Sequence, residues 1–364
     1  MRAAIVSQGS ISSKWTFEAM KKYFEQVDDL RINDLDVMID GKTVEVLYKG
    51  KPLPHYDCIY PKGSFRYASV LRSLASVLCD QTYFPLKPNT FTLGHDKLLT
   101  HLELHHHKIP MPKTYIASSA ESMKSILEKI TYPIVMKIPS GTQGKGVMFA
   151  DSFSSASSMF DALIALKQPF IIQEYIETGG IDIRAIVVGD EVVACMKRKA
   201  NPKEKRANIH AGGTGEAYVP TGEIKKVAVQ TARVIGADIC AVDILESPKG
   251  PLVIEVNLSP GLQGITKATD IDVADKLAKF LFKKAAEFST STKTNGAKRI
   301  MDELGIDNGE GVKDKECKQL ITTLDIVNGR ITLPKPITQM SGLDDQADVV
   351  IDAKKDEISI KKFK

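Results

Sequence analysis

The chain has 364 residues, 43% hydrophobic and 26% charged, a composition that fits a globular protein of two or three domains and excludes a disordered or fibrous one. A formal charge of +4 is too small to argue by itself for a nucleic-acid partner, and no apolar run has membrane-spanning length, so a cytoplasmic protein with no membrane partner is expected. The five cysteines, Cys58, Cys79, Cys195, Cys240 and Cys317, are dispersed and make no CxxC pair, which predicts buried reduced thiols.

In chain order, MRAAIVSQ reads as a buried first strand, followed by a helix around Phe17 to Phe24. Strands at KTVEVLY and DCIYPKG and a helix through YASVLRSLASVLCD complete an α/β domain expected to end near Asn89. DKLLTHLELHHHKIPMPKT predicts a helix stopped by a proline-containing loop. Its His101, His105, His106 and His107 lack the spacing of a metal-binding triad, so a wet helix face is expected there.

Strand YPIVMKI then runs into PSGTQGKGV, where Gly141, Gly144 and Gly146 would let backbone amides approach phosphate oxygens. The loop matches neither GxxxxGK[ST] nor the strand-to-helix GxGxxG, which argues against a P-loop and a dinucleotide fold. Lys137, at the end of that strand, is placed to reach a phosphate as a mobile point charge. PFIIQEYI could run beside an adenine ring, or serve simply as a core strand. DIRAIVVGDEVVACMKRK folds as a hairpin about Gly189-Asp190. The following run gathers Lys197, Arg198, Lys199, Lys203, Lys205 and Arg206 before a glycine pair, where arginine could stabilise a transferring phosphoryl group; His210 is open to a structural or a catalytic role.

EIKKVAVQTARVIGA predicts a helix leading into ADICAVDILESPKGPLVIEVN, a second hairpin about the cluster Glu246 to Gly250. Strand alternation sends Glu255 and Asn257 to one face and Ile254, Val256 and Leu258 to the core. Asp243 falls opposite Ile254 or Glu255. Two facing carboxylates repel unless a cation separates them, so Asp243, Glu255 and Asn257 are candidate ligands of a hard dication, magnesium or manganese rather than zinc. VADKLAKFLFKKAAEF closes the unit as an amphipathic helix, and STSTKTNGAKR reads as a polar linker.

The segments HDKLL, VMKIPSGTQGKGV, IIQEYI, DIRAIVVGDEVVA, RANIHAGG, AVDIL and GPLVIEVNLSPGLQGI together resemble the ATP-grasp superfamily, and within it the RimK-like glutamate ligases. The resemblance covers most of residues 1 to 288. It implies an α/β plus α+β architecture: a Rossmann-like pre-ATP-grasp domain at 1–90, then a two-lobed ATP-grasp domain at 91–288. It also implies that Lys97 and Lys137 meet nucleotide phosphates, that Glu174, Tyr175 and Ile176 meet adenine and that Asp182 lies beside the ribose. Arg206, Ala207 and Asn208 would contact the nucleotide, and Arg184 and Arg206 would stabilise the transferred phosphoryl group. Asp243, Glu255 and Asn257 match the family's metal ligands, for two Mg2+ or Mn2+ ions. The implied reaction activates a carboxylate with ATP as an acylphosphate and joins it to an amine, adding glutamate to an acidic acceptor, either a protein tail or a small-molecule cofactor. Ala211 stands where relatives often have arginine, which leaves a different amine or small-molecule acid open.

After a linker at 289–320, residues 321–364 contain two hairpin-like halves, with turns at Asn328-Gly329 and Lys354-Lys355-Asp356, and resemble the AbrB-like swapped-hairpin domain. So short a piece rarely folds alone, so a homo-oligomer is expected. Its acidic and basic residues nearly balance, which favours dimerisation over DNA binding and makes an ATP-sensing DNA-binding regulator the alternative function.

Overall fold

RAAIVS carries no charge after Arg2 and forms β1 (Arg2–Ser7), buried almost throughout, as the central strand of a parallel sheet must be. Helix α1 (Ile11–Met20), capped by the Ser10 hydroxyl accepting from the Ser13 amide at 3.2 Å, returns the chain to β2 (Gln26–Arg31). A side sheet of β3 (Leu35–Ile39), β4 (Val44–Tyr48) and β5 (Lys51–Pro52) intervenes before β6 (Cys58–Lys62), giving the parallel order β2-β1-β6. Helix α2 (Ala68–Leu78) packs Leu71, Leu74 and Ala75 into the core. This computed structural model describes residues 1–117, 119–139, 146–200 and 213–304, together with four short strands beyond them.

Strand β6 ends in Lys62, whose ammonium is buried and donates to the Pro260 carbonyl at 3.2 Å. Burial alone pushes its pKa down from 10.5 to about 8. Between those values the unfolded chain binds more protons than the folded one, so stability rises with pH across that window. Below it the buried charge costs on the order of 3 kcal/mol. Lys62→Met should therefore gain stability at about pH 7 and flatten part of this slope, as read by urea unfolding near pH 7 and near pH 10. A variant less stable than the parent at neutral pH would contradict this assignment.

Helices α3 (Thr90–Leu93) and α4 (Lys97–His106) lead to a second sheet, β7-β10-β8-β9, formed by β7 (Thr114–Tyr115), β8 (Ile134–Lys137), β9 (Val147–Ala150) and β10 (Ile171–Glu174). Helices α5 (Ala120–Lys129) and α6 (Phe153–Ala165) cover it through a core of its own, built from Met123, Leu127, Ile134, Met136, Phe160 and Ile172.

The third sheet is antiparallel, in the order β13-β12-β11-β14-β15. Its strands are β11 (Ile181–Val188), β12 (Glu191–Lys199), β13 (Thr214–Ala217), β14 (Ile239–Ser247) and β15 (Gly250–Asn257). Helix α7 (Gly222–Ile235) covers one face and ends at Gly236, whose φ of +78° supplies the left-handed cap. Helices α8 (Gln263–Thr269) and α9 (Val273–Leu304) lie on the side of the other face.

The domain boundary expected near Asn89 does not divide the core. Val6, Ile59 and Leu71 share one apolar cluster with Ile183, Val242 and Val256, and residues 1–300 form one unit. Helix α9 runs to Leu304 and so takes in the first part of the segment read as a linker at 289–320. Cys58, Cys195 and Cys240 are free and buried and Cys79 is partly so, while Cys317 lies outside the described residues.

Residues 301–364 form a separate unit. In it β16 (Asp325–Val327) pairs with β17 (Arg330–Thr332), and β18 (Val349–Lys354) with β19 (Glu357–Lys362), both antiparallel. The pairs Val327↔Arg330 and Lys354↔Glu357 put the connections at the two positions expected from sequence.

Candidate active site

One face of the five-stranded sheet changes character along its length. Toward one end it presents Ile186, Val188, Ala194, Met196, Ile239 and Ala241, which pack with Leu262, Ile265, Val273 and Leu277 of the loop and helices beyond β15. Toward the other end the same register brings Asp182 opposite Arg198, Arg184 opposite Asp243, and Asp243 opposite Glu255, with Asn257 two residues on. A strand that buries apolar side chains along one stretch of a face and carboxylates along the next is built around a polar site.

Two β-bulges set that alignment. Without the irregularity between Asp243 and Ile244, the pairing Ile244↔Val253 would continue to Asp243↔Ile254; the extra residue moves Glu255 opposite Asp243. The same bulge corrects the expected core face of β15: Val253 is buried, while Ile254 is half-buried. A second bulge between Ile186 and Val187 shifts β12 so that Arg198, rather than Lys197, faces Asp182.

Asp243 accepts from Arg184 Nε at 2.8 Å and Nη2 at 2.7 Å, and Arg198 Nη2 lies 2.9 Å from its Oδ2. Arg198 also grips both oxygens of Asp182 at 2.6 Å. Burial opposes ionisation of Asp243, but the two guanidinium groups override it and hold this carboxyl well below its ordinary range. Asp182 shares a single arginine with Asp243, and burial pushes its pKa up to about 6. Asp182, expected beside a ribose, is thus 8% exposed with both oxygens committed to Arg198. Arg184 is likewise committed to Asp243.

Across from this network, Lys97 Nζ lies 3.4 Å from Glu255 Oε1 and donates to the Pro139 carbonyl at 3.4 Å, at the entry to the glycine-rich loop. Helix α4 places it there, its amino end fixed by the Asp96 carboxylate accepting from the Leu98 and Leu99 amides. Lys137 closes β8 and is 8% exposed. Burial pushes its pKa down to about 8, the charge of Glu255 working against that shift and Lys97 adding to it. Lys137 is therefore not the mobile charge expected from sequence: its ammonium donates to Gln173 Oε1. Gly146 takes φ of +79° and its carbonyl accepts from Ile138 at 2.9 Å. Gly141 and Gly144 lie outside the described residues, as do Arg206, Ala207, Asn208, His210 and Ala211. Glu174 ends β10 and its Oε1 accepts from the Lys113 amide at 2.8 Å; Tyr175 and Ile176 follow, half-buried, the Tyr175 ring edge-on to Phe149.

The cations that separate the facing carboxylates are the protein's own: Arg184 and Arg198 at Asp243, Lys97 at Glu255. A metal is therefore not required to explain the pair, and its fit rests on what the donors have left. Three N–H donors on Asp243 leave about one of a carboxylate's four lone pairs. Glu255 is 43% exposed, and the Asn257 amide oxygen accepts from the Ser259 amide at 3.0 Å with capacity for one more bond. This set of hard oxygen donors suits magnesium or manganese. Among the described residues no group of three or more His, Cys, Asp or Glu could hold a metal.

The sequence reading missed three participants. Arg198 stood in a charge run and gave no sign of bridging two carboxylates; the Gly189-Asp190 hairpin register would have placed it within one residue. Gln173 sat in a strand read for its backbone. His101 is buried, contrary to the wet face expected of it, while His105, His106 and His107 are exposed as expected. Burial pushes the His101 pKa down to about 4, with Lys137 and Lys97 adding to the shift against the hydrogen bond to the Lys97 carbonyl.

The RimK-like ATP-grasp domain matches residues 94–281. A probable alpha-L-glutamate ligase of Marinomonas sp. is 37% identical over 304 residues, 81% of this chain and 99% of that protein. Among solved structures, a RimK domain ATP-grasp protein from Sphaerobacter thermophilus shares the fold with a TM-score of 0.61 at 21% identity, over 77% of this chain and 99% of that one. The ATP-grasp ligase PsnB, complexed with a minimal precursor, Mg and ADP, does so with a TM-score of 0.61 at 15% identity, over 78% and 98%. The matched span holds both lysines and the whole acidic hairpin, and the chain belongs to the RimK-like ATP-grasp family.

Proposed function

We propose that this ATP-dependent ligase adds L-glutamate to an acidic acceptor through an acylphosphate. The observation that carries the reading is the pairing of Lys97, from α4, with Glu255 of β15 at 3.4 Å, together with the buried Lys137 that ends β8 just before the glycine-rich loop. A lysine paired with a carboxylate and a second lysine at the entry to a glycine-rich loop suit the terminal phosphates of a nucleotide, with the adenine against Glu174 to Ile176. The names of the curated relatives support glutamate as the amino acid, and PsnB, complexed with Mg and ADP, supports the nucleotide and ion.

In this reading an acceptor carboxylate oxygen attacks the γ-phosphorus and the bond to ADP breaks. The glutamate nitrogen then attacks the acyl carbon, loses a proton and expels phosphate. Lys97 and Lys137 orient the phosphates, and no protein nucleophile is needed. Magnesium held by Asp243, Glu255 and Asn257 would neutralise charge on the terminal phosphates. Arg184 and Arg198 keep Asp243 ionised and fixed, so Asp182 is reassigned from the ribose to holding Arg198.

Release of ADP should require glutamate together with desalted cell extract as the source of acceptor. Nucleotide turnover indifferent to every amino acid tried would refute the reading. The C-terminal hairpins are proposed as an AbrB-like dimerisation unit, since so small a piece buries too little surface alone. Deleting residues 305–364 should lower the mass measured by light scattering toward that of one chain; an unchanged oligomer would refute the assignment.

A further inference from the structure

Behind Lys137 runs a chain of side-chain hydrogen bonds whose direction is fixed link by link. The Lys137 ammonium has only donors, so the Gln173 oxygen must face it and the Gln173 NH2 must face away. That NH2 has two neighbours, Thr114 Oγ1 at 2.9 Å and His101 Nε2 at 3.1 Å. Thr114 spends its own proton on the Pro112 carbonyl at 3.0 Å and can accept. His101 Nε2 must also accept, which puts the ring proton on Nδ1, against the Lys97 carbonyl. His101, Lys137 and Gln173 are all more than nine-tenths buried, so water does not substitute for a lost link.

The chain therefore begins at the backbone of one phosphate-facing lysine and ends at the ammonium of the other. Protonating His101, or replacing it with an apolar residue, leaves a Gln173 N–H without its acceptor and removes one reason for the amide to keep its oxygen toward Lys137. The charged groups facing the ring are Lys97 on its own helix and Lys137 on β8, both of which disfavour a third positive charge.

We propose that His101, as the neutral Nδ1–H tautomer, is a positioning residue that holds Gln173 with its oxygen on Lys137 and so fixes that lysine for the nucleotide phosphates. The inference rests on the nucleotide-binding reading above and adds to it a residue that touches no substrate.

The test is a double-mutant cycle on binding of magnesium and adenylyl imidodiphosphate by the full chain, read by calorimetry without any need for turnover. His101→Leu should weaken binding about tenfold, in the range seen when an outer partner of a binding group is lost. His101→Gln, which keeps a donor and an acceptor, should recover to within about threefold. With Lys137→Met already present, His101→Leu should cost almost nothing further, because its effect passes through that ammonium. Independent, additive losses in the double variant would overturn the proposal, as would unchanged affinity in His101→Leu. Nitrogen NMR of the ring supplies a second reading that does not depend on the variants folding: an Nε2–H tautomer in the parent protein contradicts the chain. Failure of the parent to bind the analogue removes the nucleotide reading and this inference together, whereas normal binding with an additive cycle removes only the inference.

Discussion

On the function proposed above, replacing Glu255 by alanine should lower glutamate-dependent ADP formation by on the order of 10³-fold, the scale of several kcal/mol of charge stabilisation lost at a phosphoryl-transfer site. The chain should stay folded. Glu255 is 43% exposed and its ion pair with Lys97 spans 3.4 Å, so the lost pair costs at most about 1 kcal/mol. Glu255→Gln, which keeps the shape and removes the charge, should lose nearly as much activity. The comparison separates a defect in charge from one in packing. Activity within about threefold of the parent at saturating magnesium would show that this carboxylate is not part of the machinery.

Arg198→Met produces the second large effect, on stability. It strips both oxygens of Asp182 of their partner and removes one of the two guanidinium groups on Asp243, leaving buried carboxylate charge uncompensated. Breaking one side of such a pair costs about 3–5 kcal/mol, whereas replacing both sides with apolar groups is often close to neutral. Urea unfolding should therefore find Arg198→Met about 4 kcal/mol less stable than the parent, with Asp182→Leu in the same chain restoring most of that loss. A single variant within about 1 kcal/mol of the parent would mean that Arg198 is dispensable to the fold.

Much of the site was legible because it rests on short-range rules. Strand alternation and the turn at Glu246 to Gly250 were enough to bring Asp243 within one residue of Glu255, and the step from apolar strand to glycine loop marked Lys137. What the sequence left open was decided at bulges, where one extra residue changes the partner of every side chain beyond it. That is why Ile254 was assigned to the core instead of Val253, and why Arg198 was not matched to Asp182. His101 was misread for a different reason. The ring lies on the helix face that also buries Thr100 and Leu104, and its Nε2 meets Gln173 of β10, a tertiary contact that the run of three exposed histidines beside it does not signal. The facing carboxylates also had a second solution that sequence did not suggest: arginines from adjacent strands rather than a metal alone.

The most direct test of the central claim is mass spectrometry of desalted cell extract incubated with the protein, ATP, magnesium and isotope-labelled glutamate. The account predicts label in amide linkage on an acidic acceptor, one ADP formed for each glutamate joined, and neither product with Glu255→Ala. ADP formed without any label transferred, or label transferred equally well by the Glu255 variant, would contradict it.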